Sequence, residues 1–163
     1  MALVDLRGTP IEEITPRGIR TSAGEHALDS IIFATGFDAF GGPLFQMNIR
    51  GRGDKRLQDP WSEGPRTVLG IGTHYFLNLF MVTGPQSGVF FILTRNIKHH
   101  VDGIAKCIAH LRATDYASIE ATTTGEEHWN TRVQQAADAT LVPAMDSWWV
   151  GANIPGKPRV ILR

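Results

Sequence analysis

Apolar residues along this chain come mostly in short clusters, with one long periodic stretch. Ile31, Ile32, Phe33 and Ala34 form a run too short for a helix, flanked by polar residues and stopped at Thr35-Gly36. That pattern predicts a strand buried on both faces, as in a parallel sheet. Leu79-Phe80-Met81-Val82 predicts a second strand, ending at Thr83-Gly84-Pro85-Gln86-Ser87. After it, Ile97, Val101, Ile104, Ile108 and Leu111 recur at steps of four and three, one face of an amphipathic helix over residues 94 to 112. Upstream, Leu3-Val4-Asp5-Leu6 reads as a strand, and residues 11 to 14 as another. Pro16-Arg17-Gly18 forms a turn, Ile19-Arg20-Thr21 resumes extended structure, and Ser22-Ala23-Gly24-Glu25 turns again. This is a hairpin-rich segment feeding the buried strand.

Between residues 40 and 65, Gly41-Gly42-Pro43 and Gly51-Arg52-Gly53-Asp54 predict no regular element. Ser118-Ile119-Glu120-Ala121 predicts a short strand. Thr124-Gly125-Glu126-Glu127 fits a capping box with Thr124 as N-cap and Glu127 reaching back. The helix that follows carries Trp129, Val133, Ala136 and Ala137 on one side and is expected to end at Pro143. The tail, from Ser147-Trp148-Trp149 to Lys157-Pro158-Arg159, reads as a loop, either pinned in a core or mobile over a ligand. The expected class is α/β (mixed α+β). A β-meander covers residues 1–28, a strand, loop and strand–helix unit 29–113, and a helix with a covering loop 114–163.

Composition narrows the function classes. The 163 residues are 42% hydrophobic and 20% charged, with 16 basic and 16 acidic residues and no net charge. A nucleic-acid footprint needs a basic excess that is missing. The single Cys107 excludes an internal disulfide. The longest apolar runs fall far short of the roughly 20 residues of a membrane span. The first residues have no secretory pattern. A cytoplasmic location is expected.

Candidate chemistry is sparse. Ligands of open α/β sheets sit beyond the carboxyl ends of strands, which singles out Thr35 and Gly36. Residues 83–87, between a strand and a helix start, suit an anion or a carbonyl oxygen; the same pattern also describes an ordinary βα turn. Gly70-Ile71-Gly72 fails the dinucleotide fingerprint, because its third glycine would fall at Tyr75. His99 and His100 are adjacent on a predicted helix and cannot clamp one metal. Ser87 lacks a nucleophile elbow. Glu126 and Glu127 read as first-turn helix charges, and Cys107 as inert. Arg52-Gly53-Asp54 carries no meaning in this context.

Five segments, in order and spacing, resemble the C-terminal part of Baeyer–Villiger monooxygenases, notably those similar to cyclohexanone monooxygenase. They are Val4-Asp5-Leu6-Arg7 with Thr9-Pro10-Ile11; Ile32-Phe33-Ala34-Thr35-Gly36-Phe37-Asp38; Asn78-Leu79-Phe80 with Thr83-Gly84-Pro85-Gln86-Ser87; His100-Val101-Asp102 with Ile104; and Ser147-Trp148 with the run from Gly151 to Arg159. The resemblance covers nearly the whole chain. It implies a fold with one FAD and one NADPH domain, converting a ketone with O₂ to an ester or lactone. It places Thr35 and Gly36 at the crossing between those domains, and Gly84, Gln86 and Ser87 near the flavin. It places Trp148 in a loop over NADP with Asn153 and Lys157 in or beside it. Trp148 as a core aromatic and Lys157 as a solvated cation are the structural alternatives. Where the family has Asn-Met beside the flavin, this chain has Leu93-Thr94, so Thr94 joins the candidate set. Both Gly-rich dinucleotide loops and the catalytic Arg are missing. The resemblance therefore implies an N-terminal portion supplied in cis or in trans, and inactivity alone. A sheet cut from a larger domain also favours pairing with itself or with a partner chain.

Overall fold

The computed structural model describes residues 3–34, 36, 38, 41–88, 93–152 and 154–161. Two compact units make up the chain, residues 1–36 and 37–163.

The first unit is built on an antiparallel meander of β1 (Ile11–Thr15), β2 (Gly18–Thr21) and β3 (Gly24–Ala27), in that order. Ile14 faces Ile19, and Ile19 faces His26. Gly18 is required at the first turn: a Cβ there would lie 2.0 Å from the His26 carbonyl oxygen. Across the sheet, Arg20 pairs with Glu13 at 2.6 Å. The strand expected at residues 3–6 is absent. Asp5 closes a turn instead, its carbonyl accepting from the Gly8 and Thr9 N–H groups and its carboxylate from Arg7 N–H. The buried strand expected at residues 31–34 is also absent. Ile32 is 90% and Phe33 69% exposed, and no strand lies beside this run among the described residues. A lone extended segment has no ladder to hold it.

The second unit carries α1 (Gly42–Gln46), α2 (Leu93–Thr114) and α3 (Thr123–Asp138), with short 3-10 turns at Arg52–Asp54, Val142–Ala144 and Trp148–Val150. The region expected to be irregular thus starts a helix. Pro43 sits in its first turn, where a missing N–H costs nothing. The same region supplies much of the main core, in which Leu57, Trp61, Phe76 and Met81 are buried against Leu44, Phe45 and Leu79. Trp61 meets Phe45 edge to face, and its indole N–H donates to the Arg66 carbonyl at 3.0 Å. A second cluster joins Ala137, Val142, Val150 and Ile161.

Leu79-Phe80-Met81-Val82 is not a strand: among the described residues its only ladder-like bond is Met81 N–H to the Ile71 carbonyl at 2.7 Å, and Val82 is exposed. Residues 118–121 are extended but form no strand either. The Asn78 side chain stands in for a neighbour, with Oδ1 accepting from Ile119 N–H at 3.0 Å while Asn78 N–H donates to the Ile119 carbonyl. The helix expected over 94–112 is α2, which runs one to two residues further at each end. Its apolar stripe, however, faces outward: Ile97, Val101 and Ile108 are exposed, and only His100 is buried. The N-cap of α3 is Thr122, not Thr124; its hydroxyl accepts from Gly125 N–H at 3.1 Å. Glu127 is exposed in the first helical turns. The helix ends at Asp138, before Pro143, which falls in a following 3-10 turn. No helix among the described residues is long and apolar enough to cross a membrane.

Candidate cofactor-facing site

The turn at residues 83–88 is fastened from three directions. Thr83 N–H donates to His100 Nδ1 of α2 at 2.9 Å. Burial, and then the charge of neighbouring His99, hold the His100 imidazole below its ordinary pKa. It therefore stays neutral and able to accept that bond. Gly84 packs so closely that a Cβ would lie 2.5 Å from the Gly70 carbonyl oxygen. Gln86 is 5% exposed and takes φ +63°, the left-handed region.

The Gln86 side chain is fully engaged. Its Oε1 accepts from Thr67 N–H at 3.0 Å, and its Nε2 donates to Asn130 Oδ1 of α3 at 2.5 Å. The Thr67 hydroxyl lies 2.9 Å from the Pro85 carbonyl. Trp129 Nε1 donates to the Gln86 carbonyl at 3.1 Å. Ser87 turns its hydroxyl inward to the Gly84 carbonyl, 2.7 Å away. Neither side chain is a catalytic acid, base or nucleophile. What the turn keeps for a ligand is backbone: among the described residues, no acceptor meets the N–H of Gln86 or of Gly88. At Gly88 the space a Cβ would occupy is open among the described residues. Beside it lies a hollow of about 230 Å³ lined by Gly88, Trp129, Arg132 and Val133, and on another side of Gln86 a cleft of about 440 Å³ lined by Arg66, Asn130, Gln134 and Arg159. A backbone donor beside open space, as at Gly88, fits a carbonyl-rich ligand edge, which asks for N–H donors and room.

The network continues into α3. Asn130 Nδ2 donates to the Glu126 carbonyl at 2.7 Å. Glu126, 6% exposed, accepts through Oε1 from the Thr73 hydroxyl at 2.8 Å and from His74 N–H at 2.5 Å. It is thus the first-turn helix charge expected from sequence, but buried and bonded as an anchor. Glu120 does similar service nearby, accepting from Tyr75 N–H at 2.6 Å and pairing with Arg52 and His74.

The other candidates are scattered. Gly36 lies in the first unit at φ +80°, and among the described residues nothing comes within 4 Å of a notional Cβ, a conformation that suits close approach. Thr94 is exposed in the first turn of α2. Trp148 is partly exposed and packs edge to face on Trp149 at 5.6 Å. Gly151 closes this turn at φ +73°, where a Cβ would meet the Pro158 carbonyl. Lys157 is mostly covered and ion-pairs with Asp38, so it is not the solvated cation. Thr35 and Asn153 lie outside the described residues. Among the described residues, no group of three His, Cys, Asp or Glu could hold a metal ion. Thr67 and Asn130 carry no local signal in the sequence, where Glu126 reads as a first-turn charge and Trp129 as part of an apolar helix side.

No family model matches the chain. It is 42% identical over 99% of its length to a Baeyer–Villiger monooxygenase of Pseudooceanicola batsensis, and 41% identical over 96% to an acetone monooxygenase of Gordonia sp.. The chain spans about 30% of the length of these relatives. Among solved structures, a closed crystal structure of cyclohexanone monooxygenase superposes on 98% of the chain at TM-score 0.92 with 39% identity, and again the chain covers 30% of it. OTEMO in complex with FAD and NADP superposes at TM-score 0.84 with 35% identity, over 98% of this chain and 29% of that one. Agreement of this order, in sequence and in backbone, makes the chain similar over nearly its whole length to a C-terminal stretch of Baeyer–Villiger monooxygenases.

Proposed function

We propose that this chain contributes cofactor-clamping surfaces to an FAD- and NADPH-dependent Baeyer–Villiger monooxygenase of the cytoplasm, and is inactive alone. The bound flavin would supply the oxygen-transfer chemistry that turns a ketone into an ester or lactone. The chain's own residues bind and orient. The Gln86 and Gly88 N–H groups would donate to the flavin's carbonyl edge, with Gly84 and Ser87 shaping the turn that presents them. Thr35 and Gly36 would lie at the crossing between the two cofactor domains, and Thr94 would border the flavin pocket. Trp148, Asn153 and Lys157 would cover NADP. The observation that carries this reading is the turn at 83–88, whose side chains are spent on scaffolding while backbone donors stay without acceptors among the described residues.

A second reading is a non-catalytic module that pairs with itself or with a partner chain. It is favoured by the exposed stripe of Ile97, Val101 and Ile108 on α2. One experiment separates the two. The chain is mixed with the N-terminal portion of the Pseudooceanicola batsensis relative, and flavin absorbance and ketone-dependent NADPH oxidation are followed. The leading reading expects a colourless chain alone and a yellow, active assembly. A chain that forms a stable oligomer and leaves the N-terminal portion unbound would establish the second reading.

A further inference from the structure

We propose that Trp129 and Asn130 of α3 are positioning residues for the turn at 83–88, so that the helix sets where the turn's backbone donors lie. This rests on the cofactor-facing role proposed for that turn. Gln86 holds a left-handed φ of +63°, which a side-chain-bearing residue adopts at a cost. An outside hold is therefore needed, and α3 supplies it at both ends of the residue. Trp129 Nε1 fastens the Gln86 carbonyl at 3.1 Å, and Asn130 Oδ1 fastens its amide nitrogen at 2.5 Å.

The direction of each bond is fixed by the next. Asn130 Nδ2 donates to the Glu126 carbonyl, so its oxygen must face Gln86. Gln86 Nε2 then faces Asn130, which turns Oε1 to Thr67 N–H. Flipping either amide would set donor against donor. Glu126 holds this part of α3 in register with the main core through Thr73 and His74, and Thr73 in turn receives the Trp61 indole N–H at 3.2 Å. The position of the turn is thereby tied to a buried chain of polar contacts instead of to its own exposed edge. Release of Gln86 would let its backbone relax to an ordinary φ and swing the adjoining N–H groups, while the helix kept its apolar packing.

The test uses Trp129→Phe, which keeps most of the ring and removes the donor, and Asn130→Leu, which keeps the bulk and removes the amide. Asn130→Asp is the conservative variant, retaining an acceptor for Gln86. Thr122→Ala is the control, weakening α3 at its cap without touching the turn. In the chain alone, amide hydrogen exchange at Thr67 reports whether Gln86 is still held. In the assembly with the N-terminal portion, FAD titration gives the dissociation constant. Trp129→Phe and Asn130→Leu are each expected to weaken FAD binding by about 2- to 10-fold, the factor equivalent to one hydrogen bond. Asn130→Leu should also speed Thr67 exchange by a similar factor. Asn130→Asp should recover most of both, and Thr122→Ala should leave FAD affinity unchanged. Variants that bind FAD as wild type does, or that weaken it no more than Thr122→Ala, would overturn the proposal. If the wild-type assembly took up no flavin, the cofactor reading itself would fall, a result told apart because every variant would then match a wild type that binds nothing.

Discussion

Replacing Glu126 by alanine strips the acceptor from two donors at once. The Thr73 hydroxyl, on a residue 2% exposed, and His74 N–H both bond to the same carboxylate oxygen. A buried donor left without a partner costs about 1–3 kcal/mol, so the pair predicts a loss of about 2–5 kcal/mol. Trp61 N–H retains the Arg66 carbonyl, which confines the damage to the two donors. Against a total stability of about 5–15 kcal/mol, that is a large share. At about 2–4 °C per kcal/mol for a chain of this size, the midpoint should fall by roughly 5–20 °C. Tryptophan fluorescence reads it well, since all four tryptophans lie in the second unit. Glu126→Gln keeps one carbonyl oxygen and loses the charge assistance, so its fall should be smaller. The exposed neighbour is the control, and Glu127→Ala should stay within about 0.5 kcal/mol. A Glu126→Ala protein melting together with Glu127→Ala would refute the buried-anchor reasoning.

The remaining expectations are more local. Thr122→Ala should cost α3 about 1 kcal/mol as a lost N-cap, whereas Thr124→Ala should cost less than about 0.5 kcal/mol; urea titration ranks the two. His100 accepts from Thr83 while neutral, and its folded pKa is lowered from 6.5, so its contribution to stability is fully present above pH 6.5 and is lost as the pH falls through the folded value. Unfolding followed between pH 8 and pH 4 should show that loss in wild type and a flatter profile in His100→Phe. Gly84→Ala should cost about 1–3 kcal/mol, because its Cβ would press on the Gly70 carbonyl oxygen; thermal melts check it. Val101→Glu, on the exposed stripe of α2, should leave the melting midpoint within about 2 °C yet abolish association with the N-terminal portion, as read by sedimentation.

What was legible in the sequence was whatever repeats along it. The steps of four and three from Ile97 to Leu111 gave α2 to within two residues, and the turns at residues 16–18 and 22–25 framed the meander. Periodicity reports which positions are apolar, not what covers them. Hence the run at 31–34 read as a buried strand and that at 79–82 as a strand, although no neighbouring strand accompanies either among the described residues, and the amphipathic pattern of α2 did not reveal that Ile97, Val101 and Ile108 are exposed. The same reasoning explains why the polar network escaped notice. Gln86 meets Thr67 and Asn130 across 19 and 44 residues, and Glu126 meets Thr73 across 53. Bonds of that span leave no local pattern, and a capping box at Thr124 offered a plausible competing role for the same acidic pair.

These two kinds of misreading have one physical cause. Apolar faces at Ile32, Phe33, Ile97 and Val101 are open while the polar side chains of Gln86 and Glu126 are bonded within the second unit. A hydrophobic face gains its free energy only when something covers it, so its pattern is written for the assembled state. The polar network gains nothing from a further partner, since each of its side-chain bonds is already made within the second unit. The chain can therefore hold the turn at 83–88 in shape through its own contacts, while its apolar surfaces are left to be covered from outside, and the relatives it matches are over three times its length. Shape held locally and coverage supplied from outside are the division that the proposed cofactor clamp would need.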